Sequence, residues 1–343
     1  MNAPQNNVQT PEAKAAYDAR WQRIMDCVAL KQPDRMPVSM FATFWLAKYG
    51  GITNRQLMYD YEKVKEIGER VILEFEPDTH SPMVLQCALG PSLEKVGFKQ
   101  LQWPGHGVSD TQPYQYLDRE YMKADEYDEF LFDPTGYYLS KYLPRVAGAF
   151  EGLDELPYLP GLHYLRMLSG IIPFTNPRIR ESMEKVIKAA EEVKCLNDHQ
   201  VGFIAHMKMH GFPTAFGTTS IAPYDLIGDY FRGATGMMKD LYRNKDKLLQ
   251  LLDKAVVFIL RQTIAAARQW NHPIVFIPTH WAPDAFMSPK QFETFWWPTF
   301  RKLLIGLIDA GLIPMPLWES DCTKRLETIR DIPAGKCIYW FER

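Results

Sequence analysis

The stretch LIPMPLWESDCTKRLETI, residues 312–329, contains the pattern that decides the fold. It begins as a strand would, because apolar side chains alternate from Ile313 to Leu317. The apolar run then stops, and two carboxylates and a thiol follow at Glu319, Asp321 and Cys322. An apolar strand that ends in polar side chains is typical of parallel α/β sheets, whose active sites lie at the carboxyl ends of the strands.

Strand-like and helix-like segments alternate along the rest of the chain. The segments with the composition of strands are residues 36–41, 79–86, 211–217, 272–278, 313–317 and 336–342. Helical spacing fills residues 14–30, 54–75, 178–198 and 235–270, and a further helix begins after Ser288. This alternation predicts βαβ units and a parallel sheet. A closed barrel needs eight strands, so the six strands predict either an open sheet or a barrel without its last two βα units.

Two segments depart from this alternation. Residues 1–12 are rich in Asn, Gln and Pro, and we expect them to be disordered. Residues 87–160 are rich in Gly, Pro and aromatic residues, and we interpret them as an excursion over one end of a single domain that spans residues 13–343. Such an excursion is either a structural cap or a substrate lid.

The composition excludes several classes of protein. The chain has 343 residues and a net charge of −2, so it lacks the basic field of proteins that bind nucleic acid or anionic lipid. It has no apolar run of the length that a transmembrane helix needs and no signal peptide. Its five cysteines form no CxxC pair, which is typical of free thiols in a reducing compartment. We therefore expect a cytoplasmic enzyme or binding protein.

Side chains at the ends of the predicted strands form the candidate site. His280 follows the strand at 272–278, and Glu319 should point the same way as Leu317, into the interior. An inward carboxylate needs a partner. Histidine, carboxylate and thiol groups at one rim can bind zinc or serve as general acid and base. The candidates for substrate binding are Phe44, Trp45, His80, His106, Trp281, Asp284 and Tyr339.

Several of these residues have a purely structural alternative. Asp321 is also placed to be the N-cap of a helix at 322–330, where a carboxylate is favoured in any case. Cys322 has the alternative role of a small buried hydrophobic residue. His206 and His210 precede a predicted strand at its amino end, and we interpret them as structural. Motifs for nucleotide binding, a zinc protease or a serine hydrolase are absent from the sequence.

Three segments are similar to segments of the uroporphyrinogen decarboxylase superfamily. RIMDCVALKQPDRMPV (23–38) resembles the opening helix and first strand of that superfamily, and FRGATGMMKDLYRNKDKLLQLLDKAV (231–256) resembles its segment after the third strand. MSPKQFETFWWPTFRKLLIGLIDAGLIPMPLW (287–318) resembles its SP-x-x-F helix and fifth strand. The resemblance implies a TIM-type (β/α)8 barrel. It also implies that this chain ends with the sixth strand and lacks the last two βα units.

The branches of this superfamily differ at two places. The decarboxylase branch has RQAGR after the first strand, where arginines hold substrate carboxylates, and this chain has FATFWLAKYGG (41–51) instead. The cobamide-dependent methyltransferases end the fifth strand in a zinc-binding His-x-Cys pair, and this chain has Trp318-Glu319-Ser320 there. Its phrase E-x-D-x-T-x-R-L-E (319–327) is similar to a subgroup close to the aryl O-demethylase methyltransferases.

The resemblance therefore implies a methyltransferase that moves a methyl group from a small methoxylated or methylated substrate to the cobalamin of a separate corrinoid protein. The implied catalytic residues are Glu319, His280 and Asp321, and Glu319 with Cys322 would hold an assisting zinc ion. An aromatic pocket for the substrate would consist of Phe44, Trp45, Trp281 and Tyr339. Two alternatives stay open: a decarboxylase of an aromatic or tetrapyrrole acid, and a non-catalytic binding domain.

Overall fold

Helices and strands alternate in two stretches of the chain that an insertion separates. In this computed structural model, which describes residues 9–82, 87–156 and 161–342, the first stretch contains α1 (Pro11–Val28), β1 (Ser39–Met40), α2 (Trp45–Gly50), α3 (Asn54–Tyr59), α4 (Tyr61–Phe75) and β2 (Thr79–His80). The insertion contains α5 (Gly90–Val96), β3 (Leu101–Pro104), β4 (Gly107–Val108), β5 (Gln115–Tyr116), α6 (Tyr127–Phe132), α7 (Pro134–Tyr137) and α8 (Leu143–Val146). The second stretch contains α9 (Tyr164–Ser169), α10 (Pro177–Met209), β6 (Thr218–Thr219), α11 (Pro223–Ile227), α12 (Gly233–Arg243), α13 (Lys245–Trp270), β7 (Ile274–Thr279), α14 (Pro289–Gln291), α15 (Trp297–Asp309), β8 (Ile313–Trp318), α16 (Leu326–Ile329) and β9 (Trp340–Phe341).

The strands outside the insertion are parallel and lie side by side in chain order. β1 pairs with β2, and a bridge between His80 and Thr214 continues the sheet to the segment that ends in β6. β6, β7, β8 and β9 then pair in that order. The predicted α/β class with a parallel sheet is therefore confirmed. The pairings between the described strands do not show a closed eight-stranded barrel.

Several element boundaries differ from the sequence prediction. α1 begins at Pro11, with the Thr10 side chain accepting a hydrogen bond from the N–H of Ala13, so residues 11 and 12 are helical rather than disordered. Residues 1–8, and residues 83–86 of the predicted second strand, lie outside the described residues. The predicted helix at 235–270 is interrupted at Asn244. The first and last strands are each only two residues long. Immediately before the first strand, the N–H of Val38 donates to the Asp78 carboxylate at 2.8 Å.

The register of β7 on β8 determines which side chains face each side of the sheet. Six residue pairs join the two strands, from Ile274 opposite Ile313 to Thr279 opposite Trp318. One face of the pair contributes to an interior cluster: Ile274, Phe276, Ile313, Met315 and Leu317. The other face packs under the helices: Val275, Ile277 and Trp318. This alternation places the residue that follows each strand on the interior side.

Aromatic side chains fill the interior of the sheet. The ring of Phe276 stacks on Phe216 at a centroid distance of 4.9 Å and lies 5.5 Å from Phe41 and 6.0 Å from Trp340. Phe41 follows the first strand and Trp340 lies in the last, yet their ring centroids are only 5.6 Å apart. The sheet therefore curls until its two ends meet through side chains, and Phe276 lies at the centre of that contact.

The insertion forms a separate layer with its own small sheet. β3 pairs in parallel with β4 and antiparallel with β5. The backbone N–H groups of Tyr121 and Met122 donate to the carbonyl of Phe231 at 2.8 and 2.7 Å. The insertion is thus fastened to the segment between α11 and α12. In the part of the chain that the structure describes, no helix has the length and apolarity needed to cross a membrane.

We predict that Phe276→Ala lowers the free energy of unfolding by about 3–5 kcal/mol, because it leaves a cavity where four aromatic rings meet. Phe276→Leu should cost less, since it keeps more of the side-chain volume. Chemical denaturation monitored by circular dichroism measures both effects. The control is Leu162→Ala, since the Leu162 side chain is 88% exposed. A Phe276→Ala chain as stable as the Leu162→Ala chain would contradict a role for this cluster in holding the sheet.

Candidate functional site

His280 and Glu319 lie next to each other at the carboxyl ends of β7 and β8. Thr279 and Trp318 are the last paired residues of the two strands, so His280 and Glu319 are the next position on each. Both share the interior face of the sheet, as the alternation predicts for Glu319. The His280 Nε2 atom is 3.8 Å from Oε1 of Glu319. Each side chain is somewhat more than a third exposed, so this pair is open to a small molecule.

Asp229 holds the other side of the His280 ring. Its Oδ2 lies 2.5 Å from Nδ1 of His280. Its Oδ1 accepts a hydrogen bond from the indole N–H of Trp281 at 2.7 Å. With Nδ1 occupied by Asp229, the Nε2 atom is the nitrogen that faces Glu319 and the open rim. The arrangement fixes both the position of the ring and the nitrogen that is available for proton transfer.

Asp225 anchors the backbone beneath this pair. It is fully buried, and its two oxygens accept hydrogen bonds from the backbone N–H of His280 and the indole N–H of Trp296, each at 2.7 Å. Burial raises the pKa of Asp225 to about 7. One carboxylate therefore ties the end of β7 to α11 and to the helical segment that carries Trp296.

Asp229 lies in a π-helical turn, which is wider than an α-helical turn. Residues 228–232 form a single π-helical turn between α11 and α12, a feature often found at functional sites. Gly228 lies against the Trp281 indole, and a Cβ atom at this position would be 2.7 Å from the indole nitrogen. Glycine therefore allows Trp281 to lie close enough to bond Asp229.

Neighbouring charges hold His280 in its cationic form. The hydrogen bond that His280 donates to Asp229 raises the pKa of His280 to about 9, with smaller contributions from the charges of Asp225, Asp229 and Glu319, although burial opposes the shift. Burial also raises the pKa of Glu319, and the charge of Glu342 adds to this effect. At neutral pH the site thus holds an imidazolium ion between two carboxyl groups. A cation with one free N–H at an open rim can act as a general acid.

Glu342 directly follows β9 and lies beside the turn after β8. Its Oε2 accepts a hydrogen bond from the backbone N–H of Ser320 at 2.8 Å. Ser320 has a φ of +58°, a left-handed conformation that is uncommon for residues other than glycine. This turn redirects the chain immediately after Glu319, so Asp321 and the residues beyond it leave the interior face.

Asp321 and Cys322 do not join His280 and Glu319. The exposed Asp321 carboxylate accepts a hydrogen bond from the N–H of Thr323 at 2.9 Å. The predicted helix at 322–330 is a short helical turn at Thr323–Arg325, with Cys322 as its N-cap residue, followed by α16, so Asp321 is not the N-cap of a helix. Cys322 belongs to the main hydrophobic core, and its Sγ lies 3.6 Å from the carbonyl oxygen of Glu319. Burial raises the pKa of this thiol to about 12. Because the Cys322 thiol lies in that core, and the described residues contain no group of three close ligand atoms that includes Glu319 or Cys322, these two residues do not fit a shared zinc ion.

Asp284 supports the loop after β7 instead of facing the rim. Its Oδ2 accepts a hydrogen bond from the N–H of Lys324 at 3.0 Å, and its Oδ1 lies 3.3 Å from Nε of Arg325. Arg325 is buried and also donates to the carbonyl of Ala282 at 3.1 Å. These bonds tie the loop after β7 to the turn after β8.

The expected aromatic pocket is not assembled. Phe44 packs against Tyr114, and the exposed Trp45 lies against Tyr49 and Phe75. The Tyr339 hydroxyl donates to the carbonyl of Ile329 at 2.5 Å, on the helix side of the sheet. Trp340 takes the interior position, and strict alternation then turns Tyr339 outward. Of the four aromatic residues, only Trp281 contacts a residue of the His280 site.

The two other histidines among the predicted site residues, His80 and His106, lie away from His280. His80 is buried against Phe203, and its Nδ1 is 3.0 Å from the Ser81 carbonyl oxygen. Burial lowers the pKa of His80 to about 4. His106 lies in the insertion, where it stacks on Trp103 and its Nε2 is 2.8 Å from the Glu94 carboxylate.

Sequence reasoning missed the two aspartates that support His280. Asp225 and Asp229 lie on a helix rather than at the end of a strand, so a search of strand ends passes over them. The available signal is their spacing in PYDLIGDYF (223–231), because carboxylates four residues apart share one helix face within an apolar segment. Carboxylates within an apolar segment need hydrogen-bond donors, so that spacing indicates that N–H groups of another buried segment contact this helix face.

No protein-family model and no curated protein matches the sequence. Among solved structures, the chain is similar to a methyltransferase from Methanosarcina mazei. The TM-score is 0.49 and the sequence identity 13%, over 91% of this chain and 73% of the other. A likeness at this distance assigns neither a family nor an activity.

We predict that Asp229→Asn lowers the pKa of His280 from about 9 towards the ordinary value near 6.5. The raised pKa stabilises the fold fully below pH about 6.5, and this contribution is lost as the pH rises towards about 9. The variant should therefore lose less stability than the parent across that interval. Titration of the imidazole C2 proton by NMR measures the pKa, and urea unfolding at several pH values measures the stability.

The control for this titration is Asp253→Asn, because Asp253 pairs with Lys302 on the outer surface. That substitution should leave the titration of His280 unchanged. An unaltered His280 pKa in the Asp229→Asn chain would show that this carboxylate does not hold the imidazolium.

Proposed function

We propose that the protein is an enzyme that transfers a methyl group from a small methoxylated or methylated substrate, with His280 as the general acid. The observation that supports this most is the Asp229–His280–Glu319 arrangement at the carboxyl ends of β7 and β8. The resemblance of three segments to the uroporphyrinogen decarboxylase superfamily supplies the reaction class. In this proposal the sheet belongs to a (β/α)8 barrel, and the cobalamin of a separate corrinoid protein accepts the methyl group.

The reaction needs a proton for the leaving heteroatom. The electron pair for the new bond to the methyl carbon comes from the reduced corrinoid. The pair of the broken bond stays on the substrate oxygen or nitrogen, and the Nε2 proton of His280 neutralises it. Asp229 retains its hydrogen bond to Nδ1 throughout, so the ring stays in one orientation while it loses its charge. A general acid of this kind contributes about 10²–10⁴-fold to the rate.

Glu319 positions the substrate for this transfer. The 3.8 Å separation from His280 Nε2 leaves a direct contact unformed, so a heteroatom at the rim can approach both groups. A carboxyl group with a raised pKa can also accept a hydrogen bond from a substrate amine or hydroxyl group. The aromatic floor of the interior, from Phe276 and its neighbours, excludes water from below. No step in this proposal passes through zinc, because the described residues at this rim include no group of three close ligand atoms.

We predict that His280→Gln and Glu319→Gln lower turnover by about 10²–10⁴-fold with the fold intact, because each removes a group that contacts the reacting heteroatom. The assay follows methylation of free reduced cobalamin by absorbance, with methanol, methylamines and methoxylated benzoates offered in turn as methyl donors. Circular dichroism checks the fold of each variant. Glu327→Gln serves as the matched control, since Glu327 is 87% exposed and pairs with Arg330 on the surface.

Two results would contradict the proposal. Full turnover in the His280→Gln chain would exclude His280 as the acid. Release of carbon dioxide from an aromatic or tetrapyrrole acid without any cobalamin would indicate a decarboxylase, in which the same imidazolium protonates carbon.

A further inference from the structure

The last turn of α10 carries two histidines that face a carboxylate on α4. His206 and His210 are four residues apart, and their ring centroids are 4.7 Å apart. Ligand atoms of Glu69, His206 and His210 all lie within 4.8 Å of one another. We propose that these three residues form a binding site for a divalent transition-metal ion, with zinc as the ion that suits the ligands best.

Helix geometry brings the two histidines together. Residues four apart lie one above the other on the same face of an α-helix, and this spacing of histidines is a recurrent way to hold zinc. His206 lies within α10, and His210 is its C-cap residue. The C-terminal end of a helix also favours a cation, because the carbonyl dipoles point towards it. Both the spacing and the end of the helix thus favour a bound positive ion.

Glu69 supplies the third ligand from the neighbouring helix. Its Oε1 is 2.8 Å from Nε2 of His206, so the carboxylate already reaches across the gap between α4 and α10. Two ligand atoms at about 2.0–2.1 Å from a tetrahedral zinc ion lie about 3.3 Å apart. The Glu69 and His206 side chains therefore need to separate by only about half an ångström to admit the ion.

A simple ion pair between Glu69 and His206 does not account for His210. The ring nitrogens of His210 form no hydrogen bond or ion pair with the described residues, yet one of them lies within 4.8 Å of the ligand atoms of Glu69 and His206. Two imidazoles and a carboxylate suit zinc, nickel, copper and cobalt, whereas calcium and magnesium prefer oxygen ligands alone. Three protein ligands leave one position open to water.

The site lies at the opposite end of the sheet from His280. α4 precedes β2 and α10 precedes the segment of Thr214, so the end of α10 lies near the amino ends of these strands. The bridge between His80 and Thr214 joins the two segments that the helices precede. A bound ion would cross-link α4 to α10 and stabilise this junction. This role does not depend on the proposed methyl transfer.

We predict that the full chain, free of any histidine tag, binds one zinc ion at this site. Isothermal titration with zinc chloride in a non-chelating buffer measures stoichiometry and affinity. Glu69→Gln, His206→Gln and His210→Gln should each weaken zinc binding by at least about 10- to 100-fold. That is the typical cost of losing a residue that only hydrogen-bonds to a metal ligand, and loss of a ligand itself should cost no less. Zinc should also raise the melting temperature of the parent chain and not of these variants.

The matched control is His199→Gln on the same helix, because His199 contacts Lys65 and lies outside the cluster. It should bind zinc as the parent does. Cobalt(II) in place of zinc should give the visible absorption of a tetrahedral site in the parent and the control. Absence of saturable zinc binding, or binding that survives in the His206→Gln and His210→Gln chains, would overturn the proposal.

Discussion

The pairing of β7 with β8 is the constraint on which the rest of the site depends. A shift of one residue in this register would exchange the two faces of one strand. Phe276 would then leave the aromatic interior, and His280 would point into the helix layer rather than towards Glu319. The hydrophobic interior and the polar rim are therefore set by the same six residue pairs. Packing energy below the rim holds the chemical groups at the rim in position.

Two carboxylates connect the helix layer to this rim: the fully buried Asp225 on α11 and the partly exposed Asp229 on the turn after it. Asp225 accepts from the backbone of His280, and Asp229 bonds the imidazole ring and the Trp281 indole. An unpaired buried carboxylate is costly, so the fully buried Asp225 requires its two hydrogen-bond donors. Because His280 and Trp281 directly follow β7, these bonds fix the end of the strand against the helix layer. The same carboxylates keep His280 cationic.

Strand parity explains which site predictions agree with the structure and which do not. The inward position of Glu319 followed from its alternation with Leu317. His280 is four residues after the inward-facing Phe276, so it lies on the same face of its strand. Tyr339 was placed at the rim only because it lies near the end of a strand, and its parity turns it towards the helices. Asp321 and Cys322 follow Ser320, whose left-handed backbone ends the strand geometry. Closeness to Glu319 in sequence therefore does not bring them to the same site.

The sequence by itself determined the alternation of strands and helices, the parallel sheet, and the presence of a histidine and a carboxylate at neighbouring strand ends, since these follow from local periodicity. Tertiary structure alone decided the partners of His280 and the grouping of Glu69 with His206 and His210. Those contacts join elements far apart in the chain, and their distances depend on how helices pack on the sheet. Periodicity reports which face of an element is buried, but it contains no information about which distant element covers that face.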